Sequence, residues 1–412
     1  MAKLSPFKAI RPSRDKVHLV ATRPYYTYKS NVLEAKLQDN PFTFLHIINP
    51  EFGKAVSTEP NSRERFEMIG EAYQDFIDQG ILIQDEQPHL YLYRQTKNGH
   101  EYIGVIAGAS IEEYDKGAIK KHESTITSRE NMFTNYLDIV GYNAEPVLLS
   151  YQDDENVIDE LLNWKTFERP EYEYATTDLI KHELWLFSEK ETEAVINAFE
   201  HIDACYIADG HHRSASSSAL KNLRNNQNQD KLVNEKSFLA FFLNEKRLHI
   251  TEFNRFVKTL NEHSAKEVLS LLSVSFTVTK LTQRQNPTRE HNITMCIQGE
   301  WFLLEFKDEL LNSHHPVQSL DAEILTQHVL KPILGINNLK TDEHIEFISG
   351  INSLEKMEKE ISNGKYQIGF FLFPIQIDQI KQVADMDMTM PPKSTWIEPK
   401  LRSGLTIYNI DE

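Results

Sequence analysis

Residues 206–216 read Tyr206-Ile207-Ala208-Asp209-Gly210-His211-His212-Arg213-Ser214-Ala215-Ser216. A short apolar run ends in Asp-Gly, and two histidines and an arginine follow directly. Because glycine permits a tight turn and the small residues after it suit a helix, the stretch predicts a strand, a turn and a helix N-terminus. The small side chains of this helix would let it pack closely on a sheet.

The start of this helix is a candidate anion site. Backbone N–H groups point out of a helix N-terminus, and the helix dipole adds positive potential there. The planar guanidinium group of Arg213 can form two parallel hydrogen bonds with a phosphate or a carboxylate. His211 and His212 can donate hydrogen bonds to phosphate or act as acid or base near neutral pH. Asp209 can cap the helix or hold a hydrated Mg²⁺. The competing interpretation is a plain Asp-Gly turn with a solvated helix start.

Length and charge limit the class of protein. A chain of 412 residues is too long to fold around one hydrophobic core of ordinary size. Its composition, with 40% hydrophobic and 25% charged residues, is typical of a soluble globular protein. A net charge of −17 argues against nucleic-acid and anionic-membrane partners. Cys205 and Cys296 are the only cysteines, which suits a reducing cytosol. We see no signal peptide and no membrane-spanning run, so we expect a cytoplasmic location.

The order of predicted elements is that of an α+β protein with mixed sheets. We divide the chain into an N-terminal α+β region at 1–145, a middle region with the Asp-Gly-His-His-Arg turn at 146–258, and a smaller C-terminal α+β domain with a closing tail at 259–412. Periodicity predicts strands at 44–48, 90–93, 102–109, 146–150, 183–187, 238–243, 274–279, 293–297, 301–306, 345–348 and 368–373. It predicts helices at 61–79, 189–200, 265–272, 321–330, 354–361 and 377–384, with one more ending near residue 139. The polar run 222–229 predicts an exposed loop.

A carboxylate stands beside an imidazole in Lys120-Lys121-His122-Glu123. Such a pair can serve as acid and base or as metal ligands. It is not a zinc-protease signature, because Ile126 stands where the second histidine of H-E-x-x-H would be. An ordinary charged loop is the alternative. His182, at the start of a predicted strand, either projects into a cleft or is a structural histidine.

The segment from Met390 to Gly404 is cationic and stiffened by prolines within an acidic protein. It can lay Lys393, Ser394 and Arg402 against a ligand, or it can be a structural tail packed over a domain edge. The sequence has no G-x-x-x-x-G-K-[ST] loop, no G-x-G-x-x-G and no G-x-S-x-G. The common nucleotide-binding and serine-hydrolase signatures are therefore absent.

These motifs together resemble domain-of-unknown-function family 1015, a family of uncharacterised prokaryotic proteins. The resemblance runs nearly end to end. One departure is Ser214, where the family usually has an aromatic residue. The motifs that carry it are Pro6-Phe7-Lys8-Ala9-Ile10-Arg11-Pro12, Asn40-Pro41 with Phe44-Leu45-His46, Ile119-Lys120-Lys121-His122-Glu123, the Tyr206–Arg213 stretch and Met390-Pro391-Pro392-Lys393-Ser394-Thr395.

The Asp-Gly-His-His-Arg turn is also similar to the phosphate-contacting box of the ParB/sulfiredoxin superfamily, some members of which phosphorylate free serine. This resemblance covers the middle third of the chain and rests on one short motif. It implies that Gly210, His211, His212 and Arg213 lie at nucleotide phosphates. It supplies no base for a substrate hydroxyl.

Three functions are compatible with these residues. The first is a small-molecule kinase that uses ATP or ADP with Mg²⁺ on a hydroxyl-bearing metabolite such as a hydroxy amino acid. In it the turn would hold the phosphates with help from Lys393 and Ser394, Asp209 would hold Mg²⁺, and Glu123, His122 or His212 would be catalytic. The second is a non-catalytic protein that binds a phosphorylated or carboxylated ligand. The third is a metal-dependent hydrolase using His122, Glu123, His182, His211 and His212. The oligomeric state stays open.

Overall fold

The fold contains the strand, turn and helix predicted at residues 206–216. A strand at Cys205–Asp209 leads through Gly210 into a helix at His211–Asn226. The computed structural model describes residues 3–226, 233–349 and 353–412. The chain folds into two compact units: Met1–Lys121, Thr125–Leu248 and Pro399–Glu412 form the first, and His122–Ser124 with His249–Glu398 form the second.

Helices and strands are intermixed along the described residues, as expected for an α+β protein with mixed sheets. The strands are β1 (Leu4–Ser5), β2 (Ile10–Pro12), β3 (Leu82–Gln84), β4 (Tyr91–Lys97), β5 (His100–Ser110), β6 (Ile119–Lys120), β7 (Tyr142–Asn143), β8 (Val147–Tyr151), β9 (Tyr172–Ala175), β10 (Lys181–Leu186), β11 (Cys205–Asp209), β12 (Ser237–Asn244), β13 (His249–Val257), β14 (Phe276–Lys280), β15 (Asn292–Ile297), β16 (Glu300–Phe306), β17 (Ile345–Ser349), β18 (Ile368–Phe371), β19 (Thr395–Glu398) and β20 (Tyr408–Asn409). The α-helices are α1 (Val17–Val20), α2 (Ser30–Asp39), α3 (Leu45–Ile48), α4 (Arg63–Asp78), α5 (Ile111–Asp115), α6 (Thr127–Val140), α7 (Val157–Lys165), α8 (Glu189–Phe199), α9 (His211–Asn226), α10 (Ala265–Leu272), α11 (Asp321–Leu325), α12 (Ser353–Ser362) and α13 (Ile377–Asp385).

A mixed sheet forms the centre of the first unit. Its strand order is β6-β11-β8-β12-β5-β4-β10-β9, and β1 pairs with β5. β11 runs antiparallel to β8, whereas β12 runs parallel to β8. Strands β4 and β5, at the positions of the strands predicted at 90–93 and 102–109, form an antiparallel hairpin, and Asn98 and Gly99 both have positive φ in its turn, as a tight hairpin requires. Strands from both 1–145 and 146–258 therefore share one sheet.

Helix α9 has small residues buried around its first turns. Ser214, Ala215, Ser216 and Ser217 are all buried. The serine hydroxyls donate to carbonyl groups within the helix, with Ser214 Oγ 3.0 Å from His211 O and Ser217 Oγ 2.9 Å from Arg213 O. Because these hydroxyls are satisfied locally, the polar residues can be buried without a large desolvation penalty.

The last residues of the chain return to the first unit. Thr22 and Ser403 exchange backbone hydrogen bonds of 3.1 and 2.8 Å, and Ile10 and Ile407 exchange bonds of 3.0 and 2.8 Å. Strand β20 then pairs with β7. The C-terminal segment is thus a structural part of the unit that contains the Gly210 turn.

A second mixed arrangement of strands forms the other unit. The sheet order is β14-β16-β15-β18-β13-β17, and β19 pairs with β13. Its main core contains Val257, Met295, Leu304 and Phe370, all buried. The predicted helix at 321–330 begins as α11 and continues as a π-helix at Thr326–Leu330. No helix among the described residues is long and apolar enough to cross a membrane.

Two predictions from local sequence patterns are wrong. A strand is predicted at 44–48, but Leu45–Ile48 is a short helix, because buried Phe44, Leu45 and Ile47 also fit one helical turn. An exposed loop is predicted from residue 222, but residues 222–226 continue α9, and the buried Arg224 pairs with Asp138, Glu235 and Asp411. Residues 227–229 of that predicted loop lie outside the described residues.

Candidate functional site

Gly210 forms the turn between β11 and α9 with a positive φ of +107°. A Cβ at this position would lie 3.1–3.2 Å from the guanidinium atoms of Arg213. A side chain is therefore excluded for two reasons, the backbone conformation and the arginine packed against the glycine. The glycine lets the chain turn while Arg213 folds back over it.

Arg213 connects the end of β11 to the start of β8. Its Nη1 atom donates to the carbonyl oxygens of Glu145, at 3.3 Å, and Pro146. The guanidinium also pairs with the carboxylates of Glu145, at 3.1 Å, and Asp209, at 3.4 Å. These strands are antiparallel neighbours, so the residues just before β8 meet the residues that end β11.

Lys400 comes to the same turn from the C-terminal segment. Its Nζ atom lies 3.4 Å from Asp209 Oδ2, and its carbonyl oxygen accepts a hydrogen bond of 3.2 Å from Gln95 Nε2. Burial raises the pKa of Asp209, but the charges of Lys400 and Arg213 outweigh burial and hold that pKa below its usual value. Asp209 is therefore an ionised carboxylate at neutral pH.

Glu145 is the second carboxylate of the site. Burial raises its pKa, with the negative charge of Asp209 acting in the same direction and Arg213 opposing. The hydroxyl of Ser403 donates to Glu145 Oε2 over 3.2 Å. Reasoning from the sequence missed this residue. The only sequence feature that marks Glu145 is its position directly before a predicted strand. One sequence does not show that this strand pairs with β11.

The two histidines of the turn differ in burial. His211 is 5% exposed, and burial lowers its pKa to about 3, so its imidazole is neutral at physiological pH. His212 is half-buried in the first turn of α9. Asp209, Gly210, His211, His212 and Arg213 are consecutive in the chain, and the fold adds other groups to them: Glu145, Lys400 and Ser403.

His182 is fully buried and lies in a separate polar network of the first unit. Its Nδ1 atom lies 2.8 Å from the Tyr93 hydroxyl, and Arg402 Nε donates to its Nε2 atom over 3.2 Å. Arg402 also donates to both carboxylate oxygens of Asp178, at 2.9 and 3.0 Å. Tyr174 stacks on the imidazole with ring centroids 5.0 Å apart. This network holds the C-terminal segment two residues beyond Lys400.

The remaining candidates belong to the second unit. His122 is buried and accepts a backbone hydrogen bond of 2.9 Å from Met390, while Glu123 is exposed. Ser394 Oγ donates to Pro391 O over 2.7 Å, and Lys393 Nζ lies 5.3 Å from the centre of the Phe253 ring. The roles assigned to these four residues stay predictions.

An acidic cavity of about 640 Å³ lies elsewhere in the first unit. Asp153, Asp154, Glu155 and Asp203 contribute to its lining. A phosphate group would be repelled by this concentration of carboxylates. The cavity is therefore a poor phosphate site, and the cations at the Gly210 turn make that turn the better candidate.

A known family covers most of this chain. The family described as protein of unknown function (DUF1015) matches residues 4–323. The chain belongs to this family. The DUF1015 match includes β11, the Gly210 turn, α9 and Glu145. No curated protein matches the sequence of this DUF1015 member.

Several solved structures are similar to this DUF1015 chain. Free serine kinase in complex with AMP is 13% identical, covers 76% of this chain and 93% of its own, and has a TM-score of 0.36. A variant of free serine kinase in complex with ADP is 11% identical, with coverages of 76% and 94% and a TM-score of 0.38. SbnI with a C-terminal truncation, from Staphylococcus aureus, is 13% identical, with coverages of 74% and 87% and a TM-score of 0.39.

Proposed function

We propose that the first unit binds nucleotide phosphates at the Gly210 turn and transfers a phosphoryl group to a small hydroxyl-bearing metabolite, such as a hydroxy amino acid. The observation that carries this proposal is the convergence of Lys400 with the N-terminus of α9 at one turn, 3.4 Å from Asp209. The choice of ATP or ADP as donor follows the resemblance of Gly210–Arg213 to a phosphate-contacting box.

The charges of the turn suit a phosphate that arrives with a divalent cation. Helix α9 is 16 residues long, so its dipole places positive potential at the turn. Lys400 is 29% exposed and its contact with Asp209 is long for an ion pair, so its ammonium can turn to a phosphate oxygen. Asp209, ionised and 35% exposed, is the group to hold Mg²⁺, whose charge would neutralise the phosphates.

Glu145 is the residue best placed to act as a base. A general base works best when its pKa is raised toward the working pH, and burial raises the pKa of Glu145. It lies beside Asp209 and Arg213 and accepts a hydrogen bond from Ser403. In the proposed reaction the substrate hydroxyl oxygen bonds to the terminal phosphorus of ATP or ADP, the bond from that phosphorus to the bridging oxygen breaks, and ADP or AMP leaves. Glu145 accepts the hydroxyl proton, while Lys400 and the start of α9 balance charge on the phosphates. This role was predicted for Glu123, His122 or His212.

The test separates binding from transfer. Wild type is titrated with ADP and ATP in the presence of Mg²⁺, and then incubated with each nucleotide and a panel of hydroxy amino acids. Lys400→Ala should weaken nucleotide binding about tenfold, the effect of one charge-assisted hydrogen bond. Glu145→Gln should keep binding and lose transfer. Lys190→Ala, an exposed lysine on α8, is the matched control and should change neither.

Other outcomes assign the site differently. Thermal stabilisation by nucleotide without any transfer would leave a non-catalytic binding protein. Absence of both binding and transfer would refute the proposal. His182 cannot serve as a metal ligand in the alternative hydrolase, because both its ring nitrogens have protein partners, Tyr93 and Arg402.

A further inference from the structure

Two tyrosines are exposed in a tight turn of the first unit. Tyr25 is 55% exposed and Tyr26 is 64% exposed. Their ring centroids lie 5.9 Å apart with an interplanar angle of 81°. Large aromatic side chains usually bury most of their surface, so a pair left open to solvent offers apolar area to a ligand.

The turn that carries the pair is firmly held. The hydroxyl of Tyr28 lies 2.7 Å from Thr22 Oγ1 and accepts a hydrogen bond of 3.1 Å from the backbone of Arg23. Thr27 Oγ1 donates to Pro24 O over 2.7 Å. Because the backbone is fixed by these bonds, the two rings are presented with little loss of conformational entropy on binding.

The same turn is tied to the phosphate site. Thr22 pairs through its backbone with Ser403, and the Ser403 hydroxyl donates to Glu145. Tyr26 also interacts electrostatically with Glu145, Asp209 and Arg213. Tyr26 therefore lies near the charged groups of the turn.

We propose that Tyr26, supported by Tyr25, stacks against the base of the nucleotide whose phosphates bind at the Gly210 turn. This inference rests on the proposed function. Stacking on an aromatic ring uses the π face that every base has, so it adds affinity for nucleotides over inorganic phosphates without selecting one base. The proposal thus places recognition of the base at Tyr25 and Tyr26, about 180 residues before Gly210 in the chain.

The test compares two probes, ADP and inorganic pyrophosphate, each with Mg²⁺. The two share the phosphates and differ in the nucleoside. Wild type should bind ADP more tightly than pyrophosphate. Tyr26→Ala should weaken ADP binding about tenfold and leave pyrophosphate binding within about twofold, while Tyr26→Phe should keep ADP binding. Phe167→Ala removes an aromatic ring that is 83% exposed in the same unit and should change neither affinity.

The outcomes distinguish the two proposals. Equal affinity of wild type for ADP and pyrophosphate, or equal weakening of both in Tyr26→Ala, would overturn the stacking and leave the phosphate site in place. Pyrophosphate binding about tenfold weaker in Lys400→Ala, together with weaker ADP binding but unchanged pyrophosphate binding in Tyr26→Ala, would support both assignments. Failure of wild type to bind either probe would overturn the phosphate site and the stacking together.

Discussion

Acid should destabilise the first unit through His182. Burial, with Arg402 acting in the same direction, lowers the pKa of His182 to about 3 from a usual value of 6.5. Arg402 Nε donates to Nε2, so the neutral imidazole carries its proton on Nδ1 and donates it to the Tyr93 hydroxyl. A second proton would place a positive charge directly against the guanidinium of Arg402.

The size of the effect follows from the two pKa values. Above pH 6.5 the imidazole is neutral in the folded and the unfolded chain, and it contributes no pH dependence. As the pH falls from 6.5 toward 3, the unfolded chain binds a proton that the folded chain excludes, so the free energy of unfolding decreases. At pH 4.5 the loss is about 3 kcal/mol, from two pH units at 1.36 kcal/mol each.

The assay is urea unfolding of the full chain at pH 7 and pH 4.5, followed by tryptophan fluorescence, to which Trp185, buried three residues from His182, contributes. His182→Gln removes the titration, so the destabilisation caused by the substitution should be about 3 kcal/mol smaller at pH 4.5 than at pH 7. His211 is present in wild type and in His182→Gln, so its titration contributes equally to both free energies of unfolding and cancels in their difference. His18→Gln, at an exposed position, is the control. An equal cost of His182→Gln at the two pH values would refute the reasoning.

Three further changes test other parts of the structure. Gly210→Ala should cost about 2 kcal/mol of stability in urea unfolding, because of its positive φ and the clash with Arg213, and should abolish ADP binding; an unchanged affinity would contradict the assigned site. Asp153→Ala should cost about 2 kcal/mol, since its carboxylate accepts three backbone N–H groups at the start of α7; a loss below about 0.5 kcal/mol would show that those bonds contribute little. Burial raises the pKa of Asp321 to about 7, so wild type loses stability as the pH rises toward that value. The gain in stability from Asp321→Asn should therefore be about 3 kcal/mol larger at pH 8 than at pH 5. The same gain at both pH values would contradict this.

Local patterns predicted most of the elements correctly. The hairpin of β4 and β5 follows from alternating apolar residues around Asn98-Gly99, and α9 follows from small residues after Asp-Gly. Both signals act over a few residues, so one sequence contains them in full. The run at 44–48 shows the limit, because a short apolar run fits a strand or one helical turn equally well.

The site depended on contacts over long distances in the chain. Asp209 and Lys400 are separated by 191 positions, and Glu145 reaches Arg213 only because β8 and β11 are neighbours. Pairing of that kind depends on how several strands pack together, which no local pattern encodes. The sequence therefore located the Gly210 turn but not the lysine and the buried carboxylate that give it its charge.

The return of residues 399–412 to the first unit affects the order in which the protein can mature during synthesis. On the ribosome, residues 1–248 emerge first, and Lys400 follows only after the whole of the second unit has been made. Until then the Gly210 turn lacks its lysine, and His182 lacks Arg402. The nascent first unit thus lacks part of the proposed phosphate site, and a chain that ended before residue 399 would lack both Lys400 and Arg402 even if its second unit had folded.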